Sequence, residues 1–568
     1  MSEAVRYDVR VVENVPVRMR DGTILRADVA RPDLPADSGE RFPVLLTRTP
    51  YQKRAHRELA AAGYIVVSQD VRGRYASDGP YDPVHQMCGA SIDREDGAET
   101  VLWAAALEGA TGKVGVFGTS YPAWEAWELA IARPAPLAAM YVSGMSVTST
   151  AVEGVPRPGR RLQWFHNTGA PDTRRRFGLP GPQTRAEAEA LWRYTRHKWL
   201  WFLPWSELPE HALGPMTPYF KTYFAHPERD TFRFAGHHSE IDVPILHRTG
   251  WYDRFVCGVE HFALMRRHGP SEATRRAQRL IVGPWGHTSA LTRKVGDLDF
   301  GPDAELDHDA LMLRWFDYWL KDRQNGVLDD PPVRYFVMGR NVWRATGDWP
   351  PPESREQRWY LRSGGQANTA GGDGWLSLDA PAPGDAAEDR YAYDPRDPVP
   401  TIWPLGDQME PLDLRPNDTR ADLLVYVSAP LDAPLEMAGD PSVTLYAASS
   451  ARDTDFVARL ADVHPDGYVQ PISYGIVRAR WRDGFDRPPR LLTPGEVARY
   501  TIRLHPVAAC FLPGHRLRLE VTSSDFPNYD RNHNTGADDF SDPTLVVAHQ
   551  TVLHSPRYPS CLTLPALP

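Results

Sequence analysis

The chain has 568 residues and a mass of 63.9 kDa, with 42% hydrophobic residues, 24% charged residues and a formal net charge of -9. Such a length exceeds what one hydrophobic core supports, so we expect several domains in a soluble globular protein. The sequence pI is about 6.1, no run is rich in Lys and Arg, and no apolar window is long enough to cross a bilayer. We therefore expect that the protein binds neither nucleic acids nor membranes.

The N-terminus and the cysteines indicate in which cellular compartment the protein is expected. The first residues, MSEAVRYDVRVVENV, contain no apolar signal core. Cys88, Cys257, Cys510 and Cys561 lie far apart and form neither a metal-type spacing nor a disulfide framework. We therefore expect a cytoplasmic protein.

The first part of the chain has the pattern of a parallel sheet. Residues 8–30 predict two strands around a turn at Asp21-Gly22. Three apolar runs that each end in a polar loop follow at residues 42–51, 63–73 and 112–120. Residues 91–107, between the last two runs, have helical spacing and an acidic first turn. Strands that are apolar throughout and alternate with helices predict a sheet covered on both faces.

The rest of the chain predicts a cap, a return to the sheet and a β domain. An aromatic-rich helical segment begins near residue 146, strand-then-loop units resume at 243–253 and 278–287, and residues 308–322 form an amphipathic helix. After residue 352 short alternating strands are separated by Gly, Pro and Asp. The predicted divisions are an α/β-hydrolase domain (1–145 and 241–352), an inserted helical cap (146–240) and a C-terminal jelly-roll β domain (353–568).

A serine lies at the predicted junction of a strand and a helix, in KVGVFGTSYPAWEAWELA. Gly118 permits a tight turn before Ser120, and the helix N-terminus that follows favours a developing negative charge. The N–H of Tyr121 is placed to donate to an oxyanion, as in a nucleophile elbow. Pro122 replaces the second glycine of that motif and suits the first turn of a helix. The competing interpretation is that Ser120 only caps the helix.

A serine nucleophile needs a base and an orienting acid. In doubly wound hydrolases these follow in the order Ser, acid, His, each after a strand. Asp253 ends ILHRTGWYD and His287 ends LIVGPWGH, so they have the required order. His247 lies inside a predicted strand and is interpreted as structural. A second oxyanion donor is expected after an early strand, where Tyr51 could act through its N–H or its phenol, or could only pack the loop.

Several stretches together resemble the CocE/NonD hydrolases, a family that includes cocaine esterase and α-amino acid ester hydrolases and is related to Xaa-Pro dipeptidyl peptidases. The stretches are RTPYQKR, SQDVRGRYASDGPY, GVFGTSY, TGWYDRF, GPWGH and YFVMGRNVWR. The resemblance covers nearly the whole chain and implies an α/β-hydrolase fold with an inserted cap and a jelly roll. It implies a triad of Ser120, Asp253 and His287, and an oxyanion hole formed by the Tyr51 hydroxyl and the Tyr121 N–H.

The resemblance also suggests where the substrate binds. Trp164, Phe165 and His166 lie in the cap where the family places acyl-pocket aromatics, and Trp403 could close the pocket from the jelly roll. Such aromatic residues are more often core.

Two further stretches are expected to be structural. Residues 70–79 are predicted to be held by Arg72 pairing with carboxylates. Residues 455–467, similar to a strand pair of the family, are predicted to pack and support the cap.

The predicted function is a serine hydrolase that cleaves small-molecule carboxylic esters, or amides, without a metal or organic cofactor. Three alternatives remain open: acyl transfer to an amine or alcohol, including the α-amino acid ester hydrolase type; an Xaa-Pro dipeptidyl peptidase; and a non-catalytic binding protein. The cap acids that an amine-binding substrate site would need are scattered, at Asp172, Glu187, Glu189 and Glu207. A homodimer is compatible with a chain of this size.

Overall fold

The structure is a computed structural model that describes residues 6–35, 37–83, 92–146, 151–152, 155–225, 234, 236–287, 289–384, 388–402, 410–484 and 487–568. Across these ranges no helix combines the length and apolar character needed to cross a bilayer.

The N-terminal part is built on a large twisted sheet with helices on its faces. Its strands are β1 (Val9–Arg18), β2 (Ile24–Pro32), β3 (Phe42–Thr49), β4 (Ile65–Asp70), β5 (Ala110–Thr119), β6 (Leu137–Ser143), β7 (Ala151–Val152), β8 (Val155–Pro156), β9 (Ile245–Tyr252), β10 (Arg279–Gly286), β11 (Lys294–Val295), β12 (Leu298–Asp299), β13 (Val333–Val337) and β14 (Val342–Thr346). In the described chain the main sheet has the order β1-β2-β4-β3-β5-β6-β9-β10-β13-β14. Neighbours from β4 to β13 run parallel, and the outer strands pair antiparallel.

Both faces of this sheet are buried, which explains why its central strands are apolar throughout. In β3, Val44 and Leu46 belong to one hydrophobic cluster, whereas Leu45 between them belongs to the cluster on the opposite face. Val66 and Val67 of β4 divide in the same way. The mixed α/β architecture predicted from the sequence is therefore confirmed.

The helices cover the sheet and form the inserted cap. They are α1 (Arg57–Ala61), α2 (Ile92–Ala105), α3 (Tyr121–Ile131), α4 (Pro158–Trp164), α5 (Ala170–Phe177), α6 (Arg185–Leu200), α7 (Glu210–Leu213), α8 (Thr217–Ala225), α9 (Val259–His268), α10 (Glu272–Arg276) and α11 (His308–Lys321). Helices α2 and α3 pack together on one face, and α1 and α11 contact each other on the opposite face. Helices α4 to α8 lie in the insertion between β6 and β9, and a π-helical turn at Phe165–Gly169 joins α4 to α5.

The C-terminal part is largely antiparallel β structure. Its strands are β15 (Arg355–Arg362), β16 (Trp375–Ser377), β17 (Glu388–Tyr393), β18 (Leu424–Val427), β19 (Leu435–Gly439), β20 (Ser442–Ser449), β21 (Asp455–Val463), β22 (Val469–Arg478), β23 (Ala498–Arg503), β24 (Val507–Phe511), β25 (Arg516–Thr522), β26 (Ala548–Ser555), β27 (Tyr558–Pro559) and β28 (Cys561–Ala566). Among the described strand pairs of this domain, only β16 and β18 run parallel. One hydrophobic cluster joins this domain to the sheet, since it contains Val282 and Tyr335 as well as Leu445 and Leu519.

Two buried arginines attach loops and helices to the sheet. Arg48 of β3 donates to Gln69 (2.9 Å), pairs with Asp93 of α2 (3.2 Å) and pairs with Glu125 of α3. This network fixes α3, the helix that follows Ser120, against the sheet. Arg72 pairs through its guanidinium with Asp96 and with Asp21, both at 2.7 Å. The predicted role of Arg72 in holding its loop is confirmed.

Candidate functional site

Ser120 lies at the sharp turn between β5 and α3. Its backbone has φ 64° and ψ −126°, a conformation that costs free energy in a residue with a side chain. A Cβ on Gly118 would lie 2.3 Å from the carbonyl carbon of Pro122, so only glycine permits this close turn. The Ser120 N–H donates to the carbonyl of Ser143 at the end of β6 (2.9 Å). The local geometry is that of a nucleophile elbow at the carboxyl edge of a parallel sheet.

Asp253 and His287 form a hydrogen-bonded pair at the same edge. They follow β9 and β10, which are parallel neighbours, so their loops leave the sheet side by side. His287 Nδ1 lies 3.0 Å from each Asp253 carboxylate oxygen. The Phe255 N–H also donates to Asp253 Oδ1 (2.9 Å) and holds the carboxylate in place. With Nδ1 engaged by Asp253, Nε2 is the nitrogen left to accept a proton.

Gly144 lies against this pair. Its φ is 61°, and a Cβ there would lie 3.0 Å from His287 Cε1 and 3.3 Å from Asp253 Oδ2. The preceding residue, Ser143, accepts the backbone hydrogen bond from Ser120. Ser120 and the Asp253–His287 pair are therefore both neighbours of the Ser143–Gly144 segment, and their joint action as a triad stays a prediction.

The electrostatic environment favours a neutral imidazole beside a charged carboxylate. Burial and then the positive charge of Arg254 lower the pKa of His287 to about 4, against the opposing effect of Asp253. Arg160 contributes to the same lowering. Burial alone raises the pKa of Asp253, but the charge and hydrogen bond of His287, followed by Arg254, outweigh burial and lower it to about 2. With these pKa values, His287 is a neutral imidazole at neutral pH and can accept a proton, while Asp253 is a charged carboxylate.

The rings of Tyr51 and Tyr121, the two residues of the predicted oxyanion hole, lie next to each other. Their ring centres are 6.3 Å apart in an edge-to-face arrangement. Trp164 of the cap donates from Nε1 to the Tyr51 hydroxyl (3.2 Å) and stacks parallel to the Tyr121 ring at 6.2 Å. A hydroxyl that accepts a hydrogen bond retains its own proton to donate. The Tyr121 N–H belongs to the first residue after Ser120, at the N-terminus of α3.

The predicted pocket residues are distributed differently. Trp164 contacts the tyrosines, as described above. Phe165 is fully buried inside the cap against Phe220, and the His166 ring packs against Trp192. These are contacts of core residues, so a pocket role for Phe165 and His166 stays a prediction. Trp403 lies outside the described residues.

A cavity of about 410 Å³ opens beside the elbow. Its lining includes Tyr51, Thr119, Tyr141, His56 and His308. Thr119 directly precedes Ser120, but the lining includes none of Ser120, Asp253 and His287, so the cavity is a neighbour of the predicted nucleophile and not a space shown to reach it.

Sequence reasoning did not identify two basic residues of the site. Arg254 directly follows Asp253, and its guanidinium carbon lies 4.7 Å from the centre of the Phe255 ring, which in turn contacts His287 edge-on. Arg160 lies one helical turn before Trp164 in α4. The available signals were the arginine in WYDRF and the basic run RPGRR in an otherwise aromatic segment.

The residues best able to hold a metal ion lie elsewhere. Among the described residues, one group of His, Cys, Asp and Glu side chains has closely spaced donor atoms: Asp462, His464 and His515 in the C-terminal domain. None of these three residues belongs to the group around Ser120, so an ion bound by them would be held by a separate part of the protein.

Comparison with known proteins identifies the family that the sequence resembles. The profile of the X-Pro dipeptidyl-peptidase (S15) family matches residues 21–289, and that of the X-Pro dipeptidyl-peptidase C-terminal non-catalytic domain matches residues 325–563. The chain is 33% identical to cocaine esterase from Rhodococcus sp. over 98% of each chain.

Two solved structures extend the likeness to the whole fold. The structure of an α-amino acid ester hydrolase has a TM-score of 0.80 and 25% identity, covering 100% of this chain and 98% of that one. An aminopeptidase from the archaeon Thaumarchaeota archaeon has a TM-score of 0.80 with 24% identity and the same coverage, and it shares the fold.

Proposed function

The chain belongs to the CocE/NonD-type serine hydrolases of the X-Pro dipeptidyl-peptidase (S15) family, and on that premise we propose that it hydrolyses carboxylic esters through an acyl-enzyme on Ser120. The observation that carries this proposal is the Asp253–His287 pair, with 3.0 Å contacts, packed against Gly144, which directly follows the Ser143 that accepts from the Ser120 N–H.

The proposed reaction begins with attack of Ser120 Oγ on the ester carbonyl carbon. His287 Nε2 accepts the hydroxyl proton, and Asp253 fixes the ring and stabilises the imidazolium. When the tetrahedral intermediate collapses, His287 gives this proton to the leaving alkoxide, and the alcohol departs. Water then attacks the acyl-enzyme with His287 again as the base, and the acid and free Ser120 are released.

Negative charge on the carbonyl oxygen is proposed to be stabilised by the Tyr51 hydroxyl and the Tyr121 N–H. Each donor of this kind contributes about 2.7–4 kcal/mol to transition-state stabilisation in comparable sites. Trp164 supports the tyrosine role, because its hydrogen bond to the Tyr51 oxygen fixes that hydroxyl without using its proton.

The charge around the site favours a simple ester over a substrate with a free amine. Arg160 and Arg254 place positive charge close enough to His287 to lower its pKa, and such charge repels a substrate ammonium. The four cap acids named above are engaged elsewhere or exposed: Asp172 with Arg175, Glu187 in the N-terminal cap of α6, Glu189 with Arg185, and Glu207 in solvent. This arrangement weighs against an α-amino acid ester or an Xaa-Pro peptide, both of which need an anchor for an amine.

The name of the cocaine esterase relative also supports ester hydrolysis. Acyl transfer shares every proposed residue and differs only in whether water or another nucleophile attacks the acyl-enzyme.

The first test compares wild type with Ser120→Ala on p-nitrophenyl esters of increasing acyl length. We expect turnover by the wild type and none by the variant, because the attacking oxygen is lost. Ser442→Ala, a serine in β20 of the C-terminal domain, is the matched control and should turn over normally. Near-normal turnover by a folded Ser120→Ala protein would contradict the assignment.

The same preparation separates the alternatives. Labelling of wild type by a fluorophosphonate, seen as an added mass that Ser120→Ala lacks, excludes a non-catalytic protein. Amide products formed when amines are added to the ester assay would indicate acyl transfer. Release of nitroaniline from Ala-Pro-p-nitroanilide, at a rate comparable to that of the esters, would favour the exopeptidase.

A further inference from the structure

Three side chains of types that can ligate a metal ion meet at one end of the C-terminal domain because of strand register. Strands β21 and β25 pair antiparallel, with Val463 opposite Arg516. Continuing this register one step beyond the paired strands places His464 opposite His515. Asp462 lies two residues before His464 and therefore points to the same face of the sheet.

The donor atoms are already close to one another. His515 Nδ1 lies 2.9 Å from each Asp462 carboxylate oxygen, and His464 Nε2 lies 3.8 Å from Asp462 Oδ2. Gln470, which pairs with Asp462 across β21 and β22, places Oε1 3.0 Å from His464 Nε2. Ligands of a tetrahedral ion with bonds of about 2.0–2.1 Å are separated by about 3.3 Å, so the donors need to move by less than about 1 Å.

The cluster combines a shielded carboxylate with an open side. The Asp462 side chain is 4% exposed, that of His515 is 12% exposed and that of His464 is 26% exposed. An ion can therefore enter past His464 and reach a carboxylate that water hydrates poorly. The Asp462 carboxylate is the anionic donor of the cluster and attracts a cation.

We propose that Asp462, His464 and His515 form a binding site for a divalent transition-metal ion of the zinc type, with the Gln470 amide oxygen as a further ligand. Imidazole nitrogen with carboxylate oxygen is a donor set that suits Zn²⁺, whereas Mg²⁺ and Ca²⁺ prefer oxygen donors alone. In the ion-bound form each ring would bind through the nitrogen that faces the cluster, and its proton would lie on the other nitrogen instead of on the one that now contacts an acceptor oxygen.

The site has a direct connection to the segment that carries Asp253. Gln470 Nε2 donates to the Tyr252 hydroxyl (2.9 Å), and Tyr252 precedes Asp253 in the chain. The same hydroxyl donates to the Pro471 carbonyl (3.0 Å). A bound ion would thus join the ends of β21, β22 and β25 beneath the loop after β9, and it would stabilise the folded protein by mass action. The inference does not depend on the proposed hydrolytic function.

The experiment measures metal binding directly on the full chain. Protein treated with EDTA and then freed of the chelator is titrated with zinc sulfate by calorimetry, and thermal unfolding is followed with and without Zn²⁺ or Mg²⁺. We expect uptake of one Zn²⁺ and a rise in Tm of a few degrees with Zn²⁺, but no change with Mg²⁺. Titration with Co²⁺ should give the intense visible bands of a four-coordinate ion.

Variants assign the binding to the cluster. His464→Ala and His515→Ala should each weaken zinc binding at least tenfold, whereas His549→Ala, which removes an exposed histidine elsewhere, should leave the titration unchanged. If His515→Ala does not fold, His464→Ala on the open side of the cluster decides the question. The proposal is overturned if wild type takes up no Zn²⁺, or if both cluster variants bind it as tightly as wild type.

Discussion

Replacing Gly144 by alanine tests whether His287 acts from the position seen in the structure. The added methyl would lie 3.0 Å from His287 Cε1, 3.2 Å from Nδ1 and 3.3 Å from Asp253 Oδ2. Carbon atoms in contact prefer about 3.5–4.0 Å, so the imidazole must retreat by about 0.5–1 Å. A displacement of about 1 Å at a reacting group costs about 10²-fold in rate. We therefore expect kcat to fall by about that factor.

The substitution also strains the backbone. At φ 61° an alanine costs about 1–2 kcal/mol relative to glycine, which lowers the free energy of unfolding without unfolding the protein. The assay measures kcat on a p-nitrophenyl ester, the rate of fluorophosphonate labelling and the thermal unfolding curve. Gly347→Ala is the matched control, because a Cβ there meets no atom within 4 Å and its φ is not in the left-handed region.

One result would refute this reasoning. If folded Gly144→Ala protein retains kcat within twofold of wild type, the position of His287 beside Gly144 has no bearing on turnover. The proposed base would then have to be reassigned, whatever the outcome for Ser120.

Three further predictions address charge, the oxyanion and the fold. Arg254→Met removes a cation that disfavours the imidazolium, so the pKa of His287 should rise from about 4. The acidic limb of the kcat/KM profile should then move to higher pH. An unmoved limb would show that Arg254 does not influence the titrating base. Tyr51→Phe should lower kcat by about 10²–10³-fold with little change in Tm, because one oxyanion donor is lost; unchanged kcat would assign Tyr51 to packing. Arg48→Leu leaves two buried carboxylates without their partner, and denaturant unfolding should show a loss of about 3–5 kcal/mol; a loss below about 1 kcal/mol would argue against that network.

The α/β pattern and the elbow could be read from the sequence because both depend on local chemistry. The expected runs at residues 42–51, 63–73 and 112–120 correspond to β3, β4 and β5, and the expected helix at residues 91–107 corresponds to α2. Each element is encoded by its own hydrophobic periodicity, and the turn at Ser120 by the close approach that only Gly118 permits. The order of Asp253 and His287 after successive strands could be recognised for the same reason.

The sequence alone determined where the strands end and which residues follow them, because side-chain periodicity and turn geometry are properties of a few neighbouring residues. Only the tertiary structure decided what meets at those ends. Gly144 comes against His287, and Arg160 from the cap acts on the same imidazole, because the insertion folds back over the sheet. Phe165 turns into the cap interior, although its neighbour Trp164 contacts Tyr51. Contacts between distant segments depend on strand order, domain packing and burial, which no local pattern records.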